Sequence, residues 1–546
     1  MPDNVLYYGD NLDILRRHVA DESVDLVYLD PPFNSNATYN VLFAEQHGER
    51  AASQIRAFED TWTWDYTAEW SYRQTVEAGG QVSKALQAFH TLLGPSNMLA
   101  YLAMMAPRLV ELRRVLKPTG SIYLHCDPTA SHYLKLLMDA VFGPANYTNE
   151  ISWKRTTTKG DYKQGATNWP RVRDVLLHYQ RDTKAGPVFH QPFAAYDPEY
   201  VESKYPYTDS EGRRYGLWDI TAPGSGSRGH PQYEFMGVVR YWRYNKEKME
   251  GLLASGRIVQ PGKGKVPRYK RYLDEMPGVA LGDSWDDIPP INSQAKERLG
   301  YPTQKPEALL ERIIAASSNE ADVVLDPFCG CGTATAAAQK LGRHWVGIDV
   351  THLAITLIKA RLRDAFNLEA GKDYTVLGEP VSVPDAEALA ATDPWQFQWW
   401  SLGLVGARPV EQKKGADKGI DGRLYFHDEP GAETKQVILS VKAGQNLGVG
   451  MVRDLGHVVQ REGAVIGVLI TMREPTGPMK TEAVSAGFYD SPWGGSYPRL
   501  QIITVAQLLA GEGIKYPHVE GMDATFKRAP KAAKAEAPHP ELPLGD

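Results

Sequence analysis

Cysteine is scarce in this chain: Cys126, Cys329 and Cys331 are the only three in 546 residues. Three thiols cannot build a disulfide framework, and there is no pair of Cys-x-x-Cys motifs for a structural zinc. Long apolar runs are missing too, since no stretch reaches the 18 residues that a membrane-spanning helix needs. The opening Met1-Pro2-Asp3-Asn4 lacks the charged and then apolar regions of a signal peptide. An excess of one charge sign is also absent: 60 basic against 66 acidic residues give −6, which argues against a generic nucleic-acid coat. There is no internal repeat. These absences predict a cytoplasmic protein without structural metal. The composition, 42% hydrophobic and 23% charged, is that of an ordinary folded protein, and the length predicts about three domains.

The chain alternates strand and helix patterns. VLYYGDNLDIL from residue 5 reads as a strand, a turn at Gly9-Asp10 and a helix start. VDLVYLD (24–30) is a nearly continuous apolar run that ends in an acid, as in a strand buried on both faces of a parallel sheet. Helical spacing over 96–116 stops at Pro118 and Gly120; SIYLHCD (121–127) is a strand and 131–143 a helix. The pattern resumes with a helix at 308–318, a strand at 322–326, a glycine turn and Ala-rich helix at 327–342, a strand at 343–349 and a helix at 353–366. Such alternation predicts an α/β sheet. Residues 151–280 differ. They hold 22 Lys/Arg against 14 Asp/Glu and 19 aromatics, so a locally basic, aromatic segment sits in an acidic chain.

VVLDPFCGCGT (323–333) looks at first like a dinucleotide fingerprint. Two details argue against a pyrophosphate ligand. Asp326 would repel phosphate, and Pro327 removes a backbone N–H that a phosphate would take. The same features suit a ligand with an ammonium group and no phosphate, such as S-adenosylmethionine. Gly330 and Gly332 would let the backbone approach it. Asp349 ends the next strand 19 residues after Gly330, near the ~20 at which an acid meets ribose hydroxyls.

Asp30-Pro31-Pro32-Phe33 follows the buried strand. The two prolines leave no N–H donors, only the Asp30 carboxylate and the Pro31 carbonyl as acceptors. Phe33 adds a flat apolar face. Acceptors beside a stacking platform suit the exocyclic amino group of a flipped base. Hydrogen bonds to that amino group would free its lone pair for a methyl group and stabilise the charge that develops.

VYLDPPF (27–33), YPTQKP (301–306) and LDPFCGCGT (325–333) resemble the amino-methylating DNA methyltransferases. The order of the motifs, with the tetrapeptide first and the cofactor loop last, resembles the permuted β group. The resemblance covers about residues 1–370. It implies an α/β, permuted Rossmann-like S-adenosylmethionine-dependent methyltransferase fold with an inserted target-recognition region. By this resemblance Asp30, Pro31, Pro32 and Phe33 are catalytic. Asp326, Phe328, Gly330 and Gly332 lie near the methionine portion, Asp349 at the ribose, and Thr303, Gln304 and Lys305 near the cofactor's carboxylate. Gly9-Asp10 would lie near the adenine. Cys331 departs from the more usual Ser. Asp in the first tetrapeptide position is usual for N6-adenine enzymes, whereas N4-cytosine enzymes more often carry Ser, so N6-adenine is the preferred reading and N4-cytosine the alternative. C5-cytosine methylation needs a Cys nucleophile, typically after proline, and no cysteine here follows one.

The basic middle would grip double-stranded DNA, with Lys263, Lys265, Arg268, Lys270 and Arg271 as the candidate phosphate contacts. GADKGIDGRLYF (415–426) and QVILSVKAGQ (436–445) resemble restriction-endonuclease-like domains of the Mrr type, with Asp421 and Lys442 as candidate site residues. Two residues before the Lys, where that family often has Glu or Gln, stands Ser440, a poor Mg²⁺ ligand. The upstream helix shows Phe397-Gln398 in place of Glu, although Glu411 or Asp417 offer substitutes. Mg²⁺ is therefore expected only if this second, smaller α/β domain is an active nuclease. The expected boundaries are a catalytic half (1–150), a target-recognition region (151–295), a cofactor half (296–370), a linker (371–392), the endonuclease-like domain (393–520) and a disordered tail (521–546). Two competing readings are a single-chain restriction–modification enzyme and a DNA-binding protein that kept the fold without the chemistry. No membrane partner is expected, and a homodimer is an option.

Overall fold

The computed structural model describes residues 4–32, 38–42, 54–59, 62–158, 167, 169–222, 229–292, 294–301, 303–410, 419–428, 433–492, 494–517 and 525–532. Phe33, Glu411 and Asp417 lie outside the described residues.

A nine-stranded sheet organises the larger unit. Its strands are β1 (Val5–Tyr8), β2 (Val24–Leu29), β3 (Leu116–Cys126), β4 (Tyr147–Lys154), β5 (Arg173–Gln180), β6 (Ser284–Trp285), β7 (Val323–Asp326), β8 (His344–Asp349) and β9 (Thr375–Leu377). In space they run β6-β4-β5-β3-β2-β7-β8-β1-β9. β5 is antiparallel to both its neighbours and every other pair is parallel. Alternation along β2 sorts its side chains. Val27 and Leu29 enter a core with the helices Asn11–His18 and Asn97–Val115, while Leu26 and Tyr28 enter one with Glu307–Ser317, Thr333–Lys340 and His352–Phe366. Both faces are thus covered, which is why the parallel strands read as unbroken apolar runs. The helical spacing over 96–116 gives the helix Asn97–Val115, and LKPTG (116–120) opens β3 directly after it. Gly120 runs so close to β2 that a Cβ there would sit 2.8 Å from the Asp25 carbonyl oxygen.

Ordered elements run across three of the expected boundaries. The strands β4 and β5 and the short β6 place residues 147–180 and 283–285 in the main sheet, so the separate compact unit is Gln191–Gly282 rather than 151–295. The buried run Val175–Tyr179 supplies the reason, because it needs two covered faces. The expected linker 371–392 holds β9, which pairs in parallel with β1, and a helix, Val383–Thr392. Within the expected disordered tail, residues 525–532 are packed: Thr525 is buried, its hydroxyl hydrogen-bonds both backbone groups of Tyr425, and Ala532 N–H donates to Ala365 O.

The 191–282 unit has a four-stranded sheet, ordered Ile258–Val259, Arg268–Tyr272, Arg214–Asp219, Tyr207–Thr208. Its small core is Ile220, Phe235, Trp242, Met249 and Ile258. The C-terminal strands are β10 (Arg408–Pro409), β11 (Gly422–Phe426), β12 (Lys435–Lys442), β13 (Ile466–Thr471) and β14 (Leu500–Thr504), neighbours in that order. The first three are antiparallel and the last three parallel, with helices on both sides. This layer belongs to the same compact unit as the nine-stranded sheet. Among the described residues, no helix is long and apolar enough to cross a membrane.

Candidate active site

The carboxyl ends of β1, β2, β7 and β8, four neighbours in the sheet, each run straight into a motif. Ligands of open α/β sheets bind at such ends. A cavity of about 320 Å³ lies here. Its lining includes Asp10, Asp30, Pro31, Pro32, Thr303, Gln304, Lys305, Asp326, Phe328, Gly330 and Asp349. Three segments that are far apart in the chain, 30–32, 303–305 and 326–330, therefore meet at one cavity.

Gly332 is the exception. It does not line the cavity; it starts the helix Thr333–Lys340 with a φ of 74°, and a Cβ there would lie 2.8 Å from Ile358. Its glycine serves helix packing rather than access to a ligand. Gly330 has a φ of 50°, and a Cβ there would press on the Tyr301 ring at 3.1 Å.

The carboxylates differ in what they hold. Asp326 is buried, and its Oδ1 accepts from Phe328 N–H at 3.0 Å. Burial pushes its pKa well above the carboxylate range; the Phe328 bond pulls the other way, and Asp30 and Asp349 raise it further. Asp349 accepts from Gly330 N–H (2.9 Å) and from the N–H and hydroxyl of Thr351 (2.9 and 2.8 Å). Burial raises it to about 6, against the pull of those bonds. Asp30 pairs through Oδ2 with Lys305, while its Oδ1 is buried without a hydrogen-bond partner among the described residues. Such an orphaned acceptor is costly unless a ligand completes it. Lys305, expected near a cofactor carboxylate, instead contacts Asp30. Gln304 turns inward: its Oε1 accepts from Leu299 N–H and its Nε2 donates to Glu297 O, so it shapes the loop. Burial also raises all three cysteine thiols. That burial disfavours the thiolate which nucleophilic catalysis needs.

Two networks escape the sequence reading. Arg108, buried, donates to Asn11 Oδ1 (2.6 Å) and Asp10 Oδ2 (2.6 Å), and Asn11 donates to Pro327 O at 2.8 Å. This ties the Gly9-Asp10 turn to the Asp326 loop. A signal exists: Arg108 interrupts an apolar helical stripe between Met105 and Leu109. The second network runs from Tyr28 on the cavity wall to His125 Nδ1 (3.0 Å), and from His125 Nε2 to Asp174 (3.2 Å).

The five candidate phosphate contacts do not form one surface. Lys263 and Lys265 are exposed in a turn, whereas Arg268, Lys270 and Arg271 lie half-buried on the strand Arg268–Tyr272. Lys270 sits over the Tyr215 ring and Arg271 over Trp218, at opposite faces of the strand. In the C-terminal layer, Asp421 Oδ2 accepts from Val441 N–H (2.7 Å) and from the Ser440 hydroxyl (3.1 Å). Gln398 Nε2 donates to Asp421 O at 3.4 Å.

Residues 24–360 match the family model described as DNA methylase, of the N6/N4 methyltransferases, over more than half of the chain. The chain belongs to this family of DNA methyltransferases. It is 30% identical over 365 residues to the Type II methyltransferase M.EcaI of Enterobacter cloacae, covering 66% of this chain and 69% of that one. It is 28% identical over 395 residues to the StyLTI Mod subunit of a Type III restriction-modification enzyme from Salmonella typhimurium, covering 69% of this chain but only 55% of that subunit. Among solved structures, a DNA modification methylase from Thermus thermophilus aligns with a TM-score of 0.32 and 17% identity, over 69% of this chain and all of that one.

Proposed function

We propose that the chain transfers the methyl group of S-adenosylmethionine to the N6 amino group of adenine in double-stranded DNA, on a base flipped from the duplex. The observation that carries this reading is the Asp30 carboxylate, with one oxygen buried and unpartnered in the same cavity as Asp326 and Asp349. The cavity fits the cofactor. Its lining sets Asp10, Asp30, Asp326 and Asp349 against Lys305 and Arg108, which favours a cation, and the Gly330 loop leaves room only for bare backbone beside Tyr301. Asp326 would hold the ammonium, Asp349 the ribose hydroxyls, and the Asp10 turn the adenine end. The cofactor supplies an electrophilic methyl on a sulfonium. Asp30 Oδ1 and the Pro31 carbonyl accept hydrogen bonds from the target amino group, which sharpens its lone pair and stabilises its developing charge. Lys305 fixes the other Asp30 oxygen and so aims the free one. Phe33 would stack on the base.

Adenine is preferred over cytosine because Asp30 occupies the first position of its tetrapeptide. Nucleoside mass spectrometry of DNA methylated by the protein decides it: N6-methyladenine is expected, and N4-methylcytosine would replace this assignment. The permuted order of motifs supports placing the chain in the β group. The 191–282 unit carries the DNA grip in this reading, with Lys263 and Lys265 best placed for phosphate. The C-terminal layer is read as an Mrr-like module that no longer cuts, because Ser440 occupies Asp421 where a second acid would bind Mg²⁺. The named relatives suit a role in restriction–modification, as its methylating half.

A further inference from the structure

Two cavity-lining residues, Tyr301 and Cys331, also belong to a small buried cluster with Leu353 and Leu357. The side chains packed against that cluster are Trp399 and Phe526. Both lie beyond residue 360, where the match to the methylase family ends. Trp399 stands on the helix Pro394–Leu404, which has two working faces. Phe397, Trp400 and Leu402 enter the core of the C-terminal layer. Gln396, Trp399 and Gly403, at i, i+3 and i+7, form the other stripe. Gln396 Oε1 accepts from His352 N–H at 3.0 Å, and a Cβ on Gly403 would lie 2.7 Å from Thr356 Oγ1.

His352 opens the helix that follows Asp349, and the hydroxyl of the preceding Thr351 donates to Asp349 Oδ1 at 2.8 Å. One run of contacts thus joins Asp349, Thr351, His352 and Gln396. A second joins Gly330, the Tyr301 ring and the cluster against which Trp399 packs. We infer that the helix Pro394–Leu404 buttresses the cofactor cavity from behind its lining, with Trp399 and Gln396 as positioning residues for the Gly330 loop and Asp349. The inference rests on the S-adenosylmethionine reading of that cavity.

The physical reason is packing. Tyr301 sits against Gly330 with no slack, so its ring position sets the path of the loop. Removing Trp399 leaves a void beside the cluster of Tyr301, Cys331, Leu353 and Leu357, into which its members relax. The loop then loses its fixed shape, and binding must supply the ordering. Gln396 acts the same way through the first turn of the His352 helix, where a backbone N–H needs an acceptor. Phe526, brought in by the packed 525–532 segment, closes the cluster from a second direction.

The test is calorimetric titration of the full chain with S-adenosylmethionine. Trp399→Ala should raise Kd about tenfold, and Trp399→Phe should recover most of the loss. Gln396→Met should weaken binding less, and Gln396→Glu, which keeps the acceptor, should restore it. In steady-state assays the Trp399→Ala loss should appear in KM for the cofactor rather than in kcat. Where a variant fails to fold, hydrogen exchange on the unmodified chain decides, because coupling is reciprocal: the cofactor should slow exchange in the 394–404 helix. Unchanged affinity in folded Trp399→Ala, or exchange in that helix indifferent to cofactor, overturns the inference. An unmodified chain that does not bind S-adenosylmethionine at all strikes the functional reading instead.

Discussion

Asp30 and Asp421 both stand at the edge of a buried strand, and both are acids that sequence patterns mark as catalytic. Their surroundings differ. Asp30 gives one oxygen to Lys305 and keeps the other buried and unpartnered at a cavity. Asp421 gives its Oδ2 to two neighbours on the adjacent strand, Val441 N–H and the Ser440 hydroxyl. Unsatisfied buried acceptors are rare because they cost free energy, so the first arrangement implies a missing partner and the second a finished structural bond. The lesson is that an acid is read by what remains for it to do, more than by its motif.

The sharpest way to break this contrast is Asp30→Ala. Methyl transfer should fall by about a thousandfold or more, because an acceptor aimed at developing charge is removed. Cofactor affinity, measured separately by calorimetry, should stay within about twofold. Near-normal single-turnover rates would return Asp30 to the same status as Asp421.

Asp326 gives the next largest effect. Asp326→Asn should raise the S-adenosylmethionine Kd by about ten- to a hundredfold, the scale of a hydrogen bond to a charged group. A pH dependence follows with a definite sign. Burial raises both Asp326 and Asp349 above ordinary carboxylates, Asp349 to about 6. The free protein therefore favours their neutral forms, whereas an ammonium and ribose hydroxyls favour the ionised ones. Affinity should fall as pH is lowered from ~8 to ~5, and less so in Asp326→Asn. The stability of the unliganded chain should move the other way: below pH ~4 both states are protonated and these groups contribute nothing, and their destabilisation grows as pH rises toward and past 6. A cofactor affinity flat over this range would remove the two acids from the binding site.

A smaller effect tests the inserted unit. Double-stranded DNA binding should weaken steeply with salt although the chain carries −6. Lys263→Ser with Lys265→Ser should flatten the slope of log affinity against log salt by about 0.9 for each phosphate no longer neutralised. Arg271→Ser should flatten it less, because that guanidinium already lies over Trp218. Equal slopes would show that exposure does not rank these cations.

What is legible in the sequence follows from the same physics. The strand-end acids at 30, 326 and 349 can be read because strand ends in a parallel sheet converge on one edge, whereas the loop at 303–305 is read only through the family resemblance. Their roles inside that edge cannot: that Lys305 turns to Asp30, or Gln304 to the backbone of 297–299, depends on side-chain directions that no spacing encodes. Long-range partners are likewise hidden, as with Arg108 and Asn11, 97 positions apart. The WQFQWW run (395–400) reads as the core of a third unit, which Phe397 and Trp400 are, while Trp399 packs on the methyltransferase cluster. Dense apolar runs on one helix bury two faces, and composition alone does not divide them. The expected linker, and residues 525–532 of the expected tail, turn out to be packed because Gly, Pro and Ala mark turns without saying whether the short elements between them find a partner.

The smallest expected effect closes the comparison from the other side. If Asp421 is a structural residue, Asp421→Ala should leave Val441 N–H without its acceptor and lower stability by about 1–3 kcal/mol. Methylation should be unchanged, since Asp421 is not among the residues that line the cavity. Mg²⁺-dependent cleavage by the unmodified chain should stay at background, because Ser440 supplies a neutral hydroxyl where a carboxylate would be needed. Ser440→Glu then becomes the sharper experiment. It places a second acid beside Asp421 and two residues before Lys442, and it removes one of the two hydrogen bonds to Asp421 Oδ2, leaving that from Val441 N–H. Weak Mg²⁺-dependent nicking in that variant, abolished again by Asp421→Ala, would mean that one hydroxyl separates the two acids of this molecule. Robust cutting by the unmodified chain would instead make Asp421 as catalytic as Asp30, and the single-chain restriction–modification reading would replace the one proposed.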